Sequence, residues 1–216
     1  MDDIVGKLDG LLGKHNEAIS EISACIEQIK NEVCMEKMKY ATNFDFLGLF
    51  CPSLVMDKIT SGYKKGRIQS KQPKSTQYSK CYFNVNGKLL YFENYNQFGC
   101  DSTYYFKEID GVIWAAPFTG TGTNAYPALV HCFFYDKGKI KEYASMTSGS
   151  IWLEEYEHNQ EENSAICHRY YYVPHKKENK LTRMKIEIFF DDSVIKRLVC
   201  FDVMNDREEM SYIWEK

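Results

Sequence analysis

The stretch Tyr78–Asn94, YSKCYFNVNGKLLYFEN, constrains the fold more than any other part of the chain. Alternating apolar and polar residues flank Asn86-Gly87, a dipeptide that supplies the two positive-φ residues of a tight type I′ turn. A two-residue turn would set Val85 opposite Lys88, Phe83 opposite Leu90 and Cys81 opposite Phe92. Side chains alternate across a strand, so Cys81, Phe83, Val85, Leu90 and Phe92 would share one apolar face. Lys80, Tyr82, Tyr91 and Glu93 fall on the other. There Lys80 and Glu93 are expected to form an ion pair, and Tyr82 and Tyr91 an aromatic pair.

The same chemistry returns in FFYDKGKIKEY and IFFDDSVIKRL: an aromatic strand, a polar turn, then a strand of basic and aliphatic residues. The pieces are unequally spaced, which indicates successive hairpins instead of a solenoid repeat. The expected fold class is mainly β (α+β): a long N-terminal helix followed by an antiparallel β-meander of about nine or ten strands, strongly curved or forming a partly closed barrel. The expected organisation is an amphipathic helix over 1–40, an apolar connector and basic loop over 41–77, and the sheet domain over 78–216.

The helix expectation rests on two interleaved heptad rows, Val5, Leu12, Ile19, Ile26, Val33 and Leu8, His15, Ile22, Ile29. Leu11, Ala18 and Cys25 widen the stripe, which suits a broad surface. Two outcomes compete: packing on the chain's own sheet, or a coiled-coil homodimer through the N-terminal helix. His15 reads as a partly exposed seam residue. In the connector, Phe44, Phe46, Leu47, Leu49 and Phe50 suggest a short strand, and Ser53 is placed to cap a short helix over Leu54–Ile59. The run 61–80 carries Lys64, Lys65, Arg67, Lys71, Lys74 and Lys80 without an acidic residue and reads as a solvated linker.

Beyond the first hairpin, Asp110-Gly111, Lys137-Gly138 and Asp191-Asp192-Ser193 mark further turns. Glu154–Glu162 reads as an acidic loop. The tail ends on Tyr212, Ile213 and Trp214, which need cover from this chain or a partner.

Chemical motifs are sparse. GTGTN lacks the spacing and the lysine of a phosphate loop. His131-Cys132 and Cys167-His168 are adjacent on strands, so each pair points to opposite faces. No catalytic residue, metal site or cofactor is expected. A net charge of -3 offers no attraction to nucleic acid or anionic lipid, so neither is an expected partner. The opening MDDIVGKLDG lacks a basic region followed by an apolar run, and the eight cysteines are irregularly spaced; both lead to an expected cytoplasmic location with free thiols.

The aromatic content, 16 Tyr and 13 Phe, points to binding, because tyrosine offers an apolar ring and a wet hydroxyl at interfaces. The expected function is an intracellular protein-interaction module of inhibitor or immunity type, binding another protein through Tyr82, Tyr91, Trp152, Tyr170 and Tyr172. The alternative is a small-ligand binding protein or enzyme whose pocket in a curved sheet is lined by Trp114, Tyr126 and His131.

Overall fold

A computed structural model describes residues 2–42, 50–59, 66–120, 129–175, 179–204 and 207–216. In chain order its elements are α1 (Asp2–Gly13), α2 (His15–Asn31), a 3-10 turn at Met35–Lys37, β1 (Lys39–Ala41), α3 (Met56–Ile59), β2 (Ile68–Gln69), β3 (Tyr78–Phe83), β4 (Leu89–Asn96), β5 (Gly99–Ile109) and β6 (Val112–Thr119). They continue as β7 (Val130–Asp136), β8 (Lys139–Met146), β9 (Ile151–Asn159), β10 (Ser164–Val173), β11 (Lys180–Asp191), β12 (Val194–Met204) and β13 (Arg207–Glu215). The chain is thus mostly β, with helix first and an antiparallel meander after it.

Two compact units divide the chain, with the boundary inside β7. The hairpin unit comprises Lys14–Pro52 and Gly62–Cys132, and the C-terminal unit comprises Met1–Gly13, Ser53–Ser61 and Phe133–Lys216.

In the hairpin unit the strand order is β2-β1-β3-β4-β5-β6. The β3–β4 register sets Lys80 opposite Glu93, Cys81 opposite Phe92 and Tyr82 opposite Tyr91, as expected. Beyond Tyr82 the register shifts, and Phe83 faces Leu89 instead of Leu90. The turn is the cause. Gly87 N–H donates to the Asn84 carbonyl at 2.9 Å, and Asn84 N–H donates to the Lys88 carbonyl at 2.9 Å. Gly87 has φ +81°, whereas Asn86 is not among the positive-φ residues. The loop is therefore three residues long, a type I turn closed by a glycine bulge, not a type I′ turn. Asn84 favours it by accepting the Asn86 and Lys88 N–H groups on its side-chain oxygen, at 3.0 and 2.9 Å. Type I′ geometry occurs instead at Asp110-Gly111 and Lys137-Gly138, with positive φ at both residues of each pair, and at Asp192-Ser193.

One face of the hairpin unit buries Cys81, Leu90 and Phe92, with Phe50 laid 4.8 Å from the Phe92 ring. Burying a side chain such as Phe92 stabilises the fold by roughly 1.5–3 kcal/mol. Val85, expected on this face, is 68% exposed because it belongs to the turn. The opposite face, bearing Tyr91, Tyr105 and Trp114, lies against α2.

The single long helix of the sequence reading is two helices. Gly13 ends α1, and the Lys14 carbonyl accepts the Ala18 N–H at 2.9 Å to begin α2. Glycine costs about 1 kcal/mol relative to alanine inside a helix, which lowers the cost of a break there. Helix α2 stops at Asn31, and Cys34 N–H is already bonded to the Phe83 carbonyl. Its buried stripe is His15, Ala18, Ile22, Ile26 and Ile29. His15 is 5% exposed, not a partly exposed seam residue.

In the C-terminal unit the order is β8-β9-β10-β11-β12-β13. Neither unit's order closes on itself, so a partly closed barrel is not formed. The described strands number thirteen, more than expected: β1 and β2 are too short for alternation to reveal, and β13 is a strand where the sequence pattern suggests only a tail. Helix α1 lies against β9. Ser53 caps α3 as expected, its Oγ accepting the Val55 and Met56 N–H groups at 3.3 and 3.1 Å. Of the expected strand over Phe44–Phe50, all but Phe50 lies outside the described residues, as do Lys64 and Lys65, and Phe50 is in a turn.

Candidate functional site

The hairpin unit carries a tyrosine ladder on its helix-side face. Tyr82 stacks on Tyr91 at 4.3 Å and Tyr78 on Tyr95 at 5.1 Å, while the Tyr105 ring lies tilted against Tyr91 at 5.2 Å. Between the stacked pairs sits Glu93, whose Oε2 accepts the hydroxyls of Tyr82 and Tyr95, each at 2.8 Å. Lys80 stands opposite Glu93 in register, yet its ammonium lies 4.5 Å over the Tyr95 ring and 3.3 Å from the Tyr95 hydroxyl. The expected Lys80–Glu93 ion pair is absent: two tyrosine hydroxyls have taken the carboxylate. Burial first, then the Glu93 charge, hold Tyr82 and Tyr95 well above the ordinary phenol range and push Tyr91 up to about 12. Tyr91 is 8% exposed, so its ring serves the core, while Tyr82 is half-buried.

Of the expected pocket residues, Trp114 and His131 are described, and they lie on opposite faces. Trp114 shares its face with Lys107 and Tyr105, whereas the His131 ring lies 6.2 Å from Tyr104, on the opposite face. Both Trp114 and His131 are buried, and burial lowers the His131 imidazole to about 3, keeping it neutral. Tyr126 lies outside the described residues.

In the C-terminal unit, Trp152 pairs across strands with Tyr171, which sets it on the face away from Tyr170 and Tyr172. Tyr172 is fully buried, its hydroxyl donating to Asp9 of α1 at 2.9 Å. Tyr170 is half-buried beside Glu155, which Lys7 of α1 also contacts at 2.7 Å. Trp152 is 39% exposed, with the Arg169 guanidinium 4.3 Å from its ring and Tyr171 at 4.7 Å.

Beneath Trp152 the structure holds a group absent from the sequence expectations. Glu154, read as part of an acidic loop, is 1% exposed on β9, opposite Arg169 on β10. Arg169 Nε is 3.2 Å from Glu154 Oε1, and Glu154 Oε2 accepts the Tyr156 hydroxyl. That hydroxyl in turn accepts the Leu54 N–H at 3.1 Å, tying the segment before α3 to the sheet. Desolvation raises Glu154 above the usual carboxylate range, against the opposing pull of Arg169. The signal was present in the sequence: Trp152, Glu154, Tyr156 and Ala165, Cys167, Arg169 fall on one face by alternation, so both charges occupy apolar rows.

The C-terminal unit ends in a poorly covered strand. Every residue from Arg207 to Ile213 of β13 is exposed, and Met204, Met210, Tyr212 and Ile213 are 43–69% exposed. Trp214 receives partial cover from the Lys58 ammonium, 5.3 Å from its ring. The β12–β13 register is bulged, with Phe201 opposite Met210 and Cys200 opposite Tyr212. Ser211 is the extra residue, and it donates its hydroxyl to the Cys200 carbonyl.

All eight cysteines are free thiols. Among the described residues no group of His, Cys, Asp or Glu is arranged to hold a metal ion, and no helix is long and apolar enough to cross a membrane. Compared with known proteins, the chain matches no family model, no curated protein and no solved structure.

Proposed function

We propose that the chain is an intracellular protein-interaction module, of inhibitor or immunity type, and that its partner engages the β12–β13 end. The observation that carries this reading is the exposure of Met204, Met210, Tyr212 and Ile213 around a strand that pairs on one side only. Isolated exposed apolar residues are ordinary, but a cluster on a terminal strand is a docking feature. An extended segment of another polypeptide adds to such an edge by main-chain hydrogen bonds, with alternate side chains contributing specificity. The Ser211 bulge and the charges of Glu208 and Glu209 guard the edge against indiscriminate pairing. Lys185 already holds Glu208 at 3.0 Å, so the edge favours a partner strand with a basic residue facing Glu209. The free thiols support an intracellular setting.

The test is a photo-crosslinking residue in place of Met210, with Glu17 of α2 as the control position. A discrete protein adduct at Met210, absent at Glu17 and lost on Ile213→Asp, is the expected result. Identical adducts at both positions, or none at Met210, would overturn the reading.

A further inference from the structure

Cys25 of α2 and Lys107 of β5 meet inside the hairpin unit. Lys107 Nζ lies 3.2 Å from Cys25 Sγ and 3.3 Å from a Glu21 carboxylate oxygen, with the Glu21 carbonyl at 3.5 Å. Glu21 and Cys25 are one helical turn apart, so α2 presents a carboxylate and a thiol to the same ammonium. The site is not sealed: the Lys107 side chain is 28% exposed and Cys25 is half-buried. An ammonium within hydrogen-bonding distance of a thiol sets positive charge against the sulfur, the environment in which thiols react with peroxide.

We propose that Cys25 and Lys107 form a covalent sulfur–nitrogen bridge when the chain meets hydrogen peroxide. In the first step the Cys25 thiol takes one oxygen from peroxide, giving a sulfenic acid and one water; sulfur is oxidised by two electrons and peroxide is reduced. In the second, Glu21 accepts a proton from the Lys107 ammonium, and the freed amine attacks the sulfenic sulfur. The S–N bond forms as the S–O bond breaks, and the departing hydroxide takes one of the two protons then on nitrogen to leave as water, so the sulfenamide keeps one N–H. No further oxidant is consumed. The product is a sulfenamide that ties α2 to β5 and is returned to thiol and amine by a thiol reductant.

The test uses the full chain, treated with stoichiometric hydrogen peroxide and mapped by peptide mass spectrometry. The expected result is a crosslinked peptide pair containing Cys25 and Lys107, two hydrogens lighter than the sum of its parts. It disappears with dithiothreitol and is absent from Cys25→Ser and from Lys107→Arg, which keeps the positive charge. The treated chain should also melt at a higher temperature than the untreated one, and dithiothreitol should reverse the shift. Recovery of Cys25 only as thiol, sulfinic acid or a disulfide, after peroxide has consumed half of the chain's accessible thiols, would overturn the proposal. So would an S–N product equally abundant in Lys107→Arg, since it would then involve another amine.

Discussion

Arg169 and Glu154 are neighbours in the interior of the C-terminal unit, Nε to Oε1 at 3.2 Å, with the residues 8% and 1% exposed. The two atoms are close but not aligned as a hydrogen bond, so the pair is held mainly by charge. Charges taken from water cost several kcal/mol each, and mutual attraction returns that cost only while both are present. Arg169→Met is therefore expected to destabilise the fold by about 3–5 kcal/mol, and Glu154→Leu added to it to recover most of the loss. Chemical denaturation of the two variants checks this. The pH dependence has a definite sign. Glu154 is raised above 4.5, chiefly by desolvation, so the folded state binds its proton more tightly than the unfolded state. Its favourable contribution is complete below 4.5 and is lost as pH rises through the raised value. The penalty of Arg169→Met should accordingly shrink on acidification toward that pH. A penalty independent of pH would show that Glu154 does not carry it.

The Glu93 cluster makes a second, opposite-ended prediction. Tyr82 and Tyr95 are raised above 10.0 by burial, then by their bonds to Glu93, so folding favours their protonated form. This contribution is intact below pH 10 and is lost as pH climbs through the folded values. Glu93→Gln removes the charge but not the burial. Tyrosinate absorbance in that variant should begin at lower pH than in the parent while remaining later than in the unfolded chain. Tyr95→Phe should cost about 1–2 kcal/mol, the bond to Glu93 and the longer contact with the Lys80 ammonium at a half-exposed site. An unchanged alkaline titration in Glu93→Gln would refute the cluster.

His131 titrates in the other direction. Burial lowers it from 6.5 to about 3, so the folded state resists protonation that the unfolded state accepts. Its contribution is present above 6.5 and is lost as pH falls from there through about 3. The imidazole resonances of His131 should stay in their neutral positions at pH 5, and His131→Gln should flatten the acid slope of stability. Resonances that move with a midpoint near 6.5 would place His131 in water.

The meander was legible because two-residue alternation survives wherever one face is buried. Met184, Ile186 and Ile188 against Arg183, Lys185 and Glu187 located β11, and Asp191–Ser193 located its turn. What was not legible depends on partners distant in sequence. Alternation separates Glu154 from Glu155 and Glu157 and sets it between Trp152 and Tyr156, but it does not show that this face is buried. Only the β9–β10 register, with Arg169 opposite, turns it inward. Strand β13 was missed for the converse reason: both its faces are exposed, so burial imposes no alternation on REEMSYIWE. The Lys80–Glu93 pairing was right in register and wrong in chemistry, because Tyr95, two residues along the same strand, reaches the carboxylate first.

The hairpin turn gives the sharpest test of local sequence reasoning. Asn86-Gly87 signals a type I′ turn, in which both residues need positive φ and both substitutions to alanine would be costly. In the structure only Gly87 has positive φ, at +81°, and Asn84 supplies the side-chain acceptor for two backbone N–H groups. Gly87→Ala should cost about 1 kcal/mol from the strained backbone. Asn84→Ala should cost a similar amount, about 1 kcal/mol, from the lost acceptor. Asn86→Ala should fall within about 0.5 kcal/mol of the parent, as an exposed residue with an ordinary backbone. Denaturant midpoints of the three variants order them directly. If Asn86→Ala proved as damaging as Gly87→Ala while Asn84→Ala was neutral, the two-residue turn and the Phe83–Leu90 register would replace the bulged loop. Phe83 would then be realigned with Cys81 and Phe92 on the buried face.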